Sequence, residues 1–233
     1  MRANANAKVL IVYHTFSQQT GKVADAIAEA FSAHNCEVTK ALIEFPDPEW
    51  TRKVFTGVPM KRPAINLVKI LVAQRTRKTG EIRTPPEAQS GDYDLIVFGS
   101  PTWWLTTNMP IRSYLKSDAA KKVVGGKPFA AAAVCRRYWK GNIHDIRKLG
   151  EGDGGKWVGE THFVSDGNQV TSMLSWLGWM KHGEPQETVF GIKMPPPNLR
   201  ADYKEQARSF VDGLVEKVLA QQPAVQAEGA AQG

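Results

Sequence analysis

The feature that most constrains this chain is an alternation of short, continuous apolar segments with longer amphipathic ones. Lys8-Val-Leu-Ile-Val-Tyr13 is apolar and mostly β-branched throughout its interior. A strand with one wet face alternates polar and apolar residues, so an uninterrupted run reads as a strand covered on both faces. Asp92-Tyr-Asp-Leu-Ile-Val-Phe-Gly-Ser100 repeats the pattern more strongly. Pro128 to Cys135, rich in Ala and Val, is a further central strand whose small side chains let helices approach. Glu37 to Leu42 is an additional strand, while Glu160 to Val164 and Val189 to Ile192 read more weakly, as two pieces of an interrupted edge strand.

Helical periodicity falls between these runs. Val23, Ala26, Ile27, Ala30 and Phe31 recur at helical spacing and make one apolar face. Asn108 is placed to cap a helix with Pro110 in its first turn and Ile111, Tyr114 and Leu115 inward, and Asn142 to Leu149 is a shorter helix. The last begins at Asp202-Tyr-Lys-Glu205, a capping-box-like start, and places Tyr203, Ala207, Phe210, Leu214 and Val218 on one face. Repeated β-α alternation demands right-handed crossovers and an open, mostly parallel sheet with helices on both sides. In such α/β sheets ligands bind outside the carboxyl ends of the strands.

At 233 residues the chain suits a single elaborated domain over residues 1–220, followed by a tail over 221–233. That tail is Ala, Gln and Gly with one Pro and one Glu, a composition expected to be disordered. Residues 45–89 and 166–197 fit the alternation poorly and read as insertions. The net charge of +7 is concentrated within the first of them: between Phe45 and Pro85 nine Lys/Arg (52, 53, 61, 62, 69, 75, 77, 78, 83) stand against acids at 47, 49 and 81, an excess of +6. Cys36 and Cys135 are far apart in no metal-like spacing, so neither a disulfide framework nor a zinc site is implied. Met1 to Ala7 is short and polar, without a signal peptide's apolar region, and no apolar run reaches the roughly 18 residues of a membrane span. The expected location is the cytoplasm.

Three loops follow the strands at the expected ligand edge. The first, His14-Thr15-Phe16-Ser17-Gln18-Gln19-Thr20-Gly21-Lys22, is hydroxyl-rich and opens a helix. Free backbone N–H groups and the helix dipole there favour a phosphate, although a plainly capped helix would read the same way. Gly21 would let the backbone approach a ligand closely. The second loop, Ser100-Pro-Thr-Trp-Trp-Leu-Thr-Thr-Asn108, carries adjacent Trp103 and Trp104, which suit a planar aromatic ligand or else cover the sheet edge. The third, Cys135-Arg-Arg-Tyr-Trp-Lys140, offers stacking by Tyr138 or Trp139 and anion contacts by Arg136 or Arg137. Phosphate-ready, aromatic and aromatic-cationic turns on one sheet edge match the parts of a flavin mononucleotide.

Val9 to Tyr13 with the Ser/Thr-rich loop through Gly21, Asp92 to Trp104, and the Ala-rich strand ending at Cys135 resemble flavodoxin-like FMN proteins. The resemblance is closest to a longer bacterial subgroup whose members often carry the label dialkylresorcinol condensing enzyme. It spans about Lys8 to Leu219, and implies a three-layer α/β sandwich with a parallel sheet in the order 2-1-3-4-5. It implies FMN with its phosphate at Thr15, Ser17, Gln18, Gln19, Thr20 and Gly21. Its ring would lie against Ser100, Pro101, Thr102, Trp103, Trp104, Cys135, Arg136 and Tyr138. The first loop is longer than the usual form, and Val23 stands where the family's final Thr falls.

Flavin-centred chemistry needs no catalytic side chain, which agrees with a sequence lacking GxSxG and any zinc-spaced histidines. The five histidines (14, 34, 144, 162, 182) read as surface or capping residues. The expected function is an FMN-dependent oxidoreductase reducing a quinone or similar acceptor with NAD(P)H. Alternatives are an electron-transfer flavodoxin fed by a protein donor, and a binding protein of the same fold without FMN. The apolar and basic residues of the insertions, including Trp50, Phe55, Ile65, Val68, Leu71, Val72 and Met173 to Met180, suit a quinone or a peripheral membrane contact. They equally suit packing of the insertions over the flavin. Nucleic acid is not an expected partner, since the basic residues form no recognised motif.

Overall fold

The structure is a computed structural model, and it describes residues 6–46, 68, 71–196 and 199–219. The expectations for Trp50, Phe55 and Ile65, for the cations Arg52, Lys53, Lys61, Arg62 and Lys69, and for the tail lie outside the described residues.

The apolar runs form the strands read from them: β1 (Lys8–Tyr13), β2 (Glu37–Leu42), β3 (Leu95–Trp103), β5 (Pro128–Cys135) and β6 (Lys156–Val164). A two-residue strand, β4 (Thr106–Thr107), pairs antiparallel with the end of β3. The others are parallel in the order β2-β1-β3-β5-β6, which is the expected 2-1-3-4-5 arrangement counted without β4. Each central strand is buried on both sides because its residues alternate between two cores. Val9, Ile11, Val97, Ala130 and Ala132 face α1 (Gln19–Ala33) and α6 (Tyr203–Leu214). Leu10, Val12, Ile96, Phe98, Ala131 and Ala133 face α2 (Met109–Tyr114), α3 (Asp118–Val124) and α4 (Lys140–Gly152). The small Ala run on β5 allows that close approach. In α4, Gly150 sits so near Phe129 that a Cβ would come within 2.5 Å of its ring.

Several local expectations are corrected. Asn108 caps α2, accepting the Ile111 N–H at 3.0 Å, but the capping box at Asp202 does not form, for Asp202 makes no side-chain cap. Phe210 and Val218 are only partly buried, and Val211 takes the inward position. Val189 to Ile192 is no piece of an edge strand. Thr188–Val189 (β7) and Ile192–Lys193 (β8) pair with each other as a separate hairpin around Phe190 and Gly191, and β6 by itself forms the edge of the sheet opposite β2. The later insertion also carries a helix, α5 (Gln169–His182), capped by Asn168 through the Thr171 N–H at 2.9 Å.

Candidate functional site

At the carboxyl ends of β1, β3 and β5 the chain leaves a cavity of about 370 Å³, within the range of small-molecule pockets. Three loops and α5 enclose it.

The first loop ends in Gln18, whose backbone is left-handed (φ 63°) and whose side chain makes no cap bond. The helix therefore starts without a side-chain acceptor over its first N–H groups, and its first turn holds no acid. That leaves a positive helix end free to take an anion. Thr15 lies against it with its Oγ1 buried and without a hydrogen-bond partner. Ser17, Gln19 and the buried Thr20 line the cavity. Thr15, Gln18 and Gly21 do not, and a Cβ on Gly21 would meet Thr15 and Gln18 at an ordinary 3.7 Å. The protein's own packing thus does not require glycine there.

The second loop is a tight hairpin. Thr102 pairs with Thr107 and Trp103 with Thr106, so Trp104 and Leu105 form a two-residue turn with φ of 45° and 68°. Such turns favour Gly, Asn and Asp, and two bulky side chains there are strained. A buried network holds the turn. Arg112, 1% exposed, donates to Gln74 Oε1 (3.0 Å), Lys78 O (3.2 Å), Thr106 Oγ1 (3.0 Å) and Thr107 O (2.5 Å). Gln74 Nε2 donates in turn to Trp103 O (3.0 Å) and Thr107 O (2.9 Å). Pro101, Thr102, Trp103, Trp104 and Leu105 line the cavity. Ser100, expected beside the ring, is instead fully buried below it, accepting from Asn108 Nδ2 at 2.8 Å and paired with the Thr107 hydroxyl at 2.9 Å.

Trp103 is packed edge-on to His14 and Phe16, with ring centroids 5.8 and 6.5 Å away. His14 is neither a surface nor a capping residue. It is 6% exposed, and Nδ1 donates to the Ile43 carbonyl at 2.8 Å, which leaves Nε2 the bare, buried acceptor nitrogen. Burial lowers its pKa to about 4.

From the third loop Cys135, Arg136, Arg137 and Tyr138 line the cavity, Tyr138 being more than half exposed. Trp139 does not, because it stacks on His162 (centroids 4.1 Å, planes 10° apart). Burial pushes the Cys135 thiol up to about 12, so it is a wall rather than a thiolate. Sequence reasoning missed Phe16, Leu105, Val134, Ser165 and Leu199 as lining residues, while Arg137, offered with Arg136 for anion contacts, does line the cavity. Met173, Trp176 and Met180 of α5 also line the cavity, so the apolar segment noted from sequence turns inward in part. No acid lines it among the described residues, and no metal-ligating group of His, Cys, Asp or Glu occurs among them.

A parallel five-strand sheet in this order, with an aromatic, acid-free cavity at its carboxyl edge and a bare helix N-terminus beside it, is a flavodoxin-like α/β fold. A flavoprotein of Lactobacillus acidophilus NCFM in complex with FMN matches over 67% of this chain and 93% of its own, at 21% identity and a TM-score of 0.50. A flavodoxin from the domain Archaea matches over 90% and 97% (14%, TM-score 0.48), and the FMN-bound flavodoxin of Fusobacterium nucleatum over 91% and 98% (13%, TM-score 0.46). At these identities the likeness is one of fold. No protein-family model and no curated protein sequence matches the chain.

Proposed function

We propose that this chain binds FMN at the cavity and works as an NAD(P)H-dependent reductase of a quinone or similar acceptor. One observation carries the reading: a helix N-terminus with an unpartnered buried hydroxyl opens on the same edge as a flat-walled, aromatic, acid-free cavity. The Thr15 hydroxyl suits donation to a phosphate oxygen, since it is desolvated and has no hydrogen-bond partner among the described residues. Thr15, Ser17, Gln19 and Thr20, with the backbone N–H groups around Gln18 and Gly21, would hold the phosphate. Pro101 to Trp104, Cys135 and Tyr138 would flank the ring, and α5 would exclude water. The bound flavin would supply electron acceptance and release, while the protein supplies orientation and dielectric.

The apolar face of the later insertion is read as serving a quinone rather than a peripheral membrane contact because Met173, Trp176 and Met180 line the cavity. Cytoplasmic location is supported by two free cysteines, Cys36 and Cys135. Placement in the subgroup labelled dialkylresorcinol condensing enzyme rests on sequence resemblance alone. Condensation itself is disfavoured, since the Cys135 thiol is held protonated by burial.

The test is the visible spectrum of the purified protein with added FMN and then NADPH, without oxygen. Flavin bands that shift on uptake and bleach with NADPH are expected. Bands that persist would mean a protein donor, and no uptake would refute the cofactor.

A further inference from the structure

We infer that the cavity takes, as the acceptor in the function just proposed, a planar aromatic molecule bearing one anionic group, with that group held by Arg136. The inference deepens that reading by naming the ligand's charge, and it rests on it for the role of acceptor.

Arg136 follows β5 and turns into the cavity, mostly buried. Its guanidinium lies 5.5 Å from the Trp176 ring centroid, and Nη1 donates to Ser172 O at 2.5 Å. No carboxylate pairs with it among the described residues, whereas Arg77, Arg147 and Arg200 all have carboxylate partners. Desolvation alone weakens its hold on a proton. A guanidinium offers five N–H donors, and the Ser172 carbonyl is the single acceptor bonded to it among the described residues. A cation taken this far from water without a counter-charge is unfavourable, and an anion brought by a ligand offsets that.

Three further observations converge. Ser165 also lines the cavity, with its Oγ buried and unpartnered, so a second donor waits nearby. No acid lines the cavity among the described residues to repel an anion, and Arg137 adds positive charge at the rim while donating to Gly167 O at 3.0 Å. The neighbouring wall is flat and apolar: Trp176, fixed by the guanidinium over it, with Met173 and Met180. An uncharged aromatic would fill the apolar wall yet leave the guanidinium and the Ser165 hydroxyl unsatisfied, which is the stronger form of discrimination.

The full-length, FMN-loaded protein is titrated calorimetrically with naphthoquinone sulfonate and with menadione, which has a methyl group in place of the sulfonate. The sulfonate is expected to bind at least about tenfold more tightly. In Arg136→Met that advantage disappears while menadione and FMN affinities stay within about twofold of the parent, and Arg136→Lys restores part of it. Should Arg136→Met not fold, Ser165→Ala is expected to lose about threefold for the sulfonate alone. Equal affinities in the parent protein overturn the inference. So does an Arg136→Met variant that loses FMN together with the sulfonate, for Arg136 then serves the cofactor. A protein that takes no FMN but keeps an Arg136-dependent sulfonate preference refutes the redox reading and upholds the subsite.

Discussion

Gly141, the second residue of α4, tests whether the strained Trp104-Leu105 turn is held from below. A Cβ at this position would stand 2.0 Å from the Leu105 carbonyl oxygen and 3.2 Å from its carbon. Ordinary contact begins near 3.4 Å, so turn and helix must separate by about 1.4 Å, and both are backbone rather than flexible side chain. Two effects oppose each other in Gly141→Ala. Alanine is the better helix former by about 1 kcal/mol, whereas overpacking of this kind costs about 1–3 kcal/mol. The clash is expected to win, lowering stability by up to about 2 kcal/mol in urea titrations, shifting the near-ultraviolet tryptophan signal and weakening FMN uptake. Gly213 of α6 is the internal control, because a Cβ there meets nothing within 4 Å and its φ is not positive. Gly213→Ala should gain about 0.5–1 kcal/mol. If Gly141→Ala gains as much and keeps its tryptophan spectrum, the turn is not seated on α4 as argued.

Two other substitutions address buried polar groups. Burial lowers the His14 pKa from 6.5 to about 4, so between those values the unfolded chain binds a proton that the folded chain refuses. Stability contributed by neutral His14 is therefore whole above pH 6.5 and falls by about 3 kcal/mol as pH drops to 4. Urea midpoints at neutral and acid pH should fall less steeply in His14→Gln than in the parent, and identical slopes would refute the assignment. Thr15→Val removes a hydroxyl that has no partner among the described residues. It should leave the flavin-free protein as stable or slightly more so, while FMN affinity drops by about 1 kcal/mol, some fivefold; unchanged affinity would place the phosphate elsewhere.

The sheet was legible because burial on both faces writes itself as uninterrupted apolar runs, whereas the order of strands came only from the resemblance to flavodoxin-like proteins. The cavity was legible as three loops at one edge, and ten of the expected residues line it: Ser17, Gln19, Thr20, Pro101, Thr102, Trp103, Trp104, Cys135, Arg136 and Tyr138. What escaped has physical causes. Trp-Leu carries none of the turn chemistry that marks a hairpin, so β4 was invisible. Arg112 reads as a solvated helix residue, and only the tertiary fold brings the Gln74 amide to it. His14 sits beside a polar loop, yet Phe45 and Trp103 close over it. Ser100 ends the apolar run read from sequence, where either a ligand or a cap can claim its hydroxyl, but β3 continues to Trp103 and the Asn108 cap claims it.

The Gln74 amide belongs to a helical turn at 71–75, well outside the strands and helices of the α/β core. It nevertheless supplies an acceptor to a guanidinium that water cannot reach, and donors to the carbonyls of Trp103 and Thr107. A chain shortened by splicing out residues 71–75 would keep every strand of the sheet. It would also strand a charge in the interior beneath the tryptophan turn. The smallest functional version of this protein is therefore larger than its topology diagram suggests, and the segment that looks most like an appendage is part of the floor of the site.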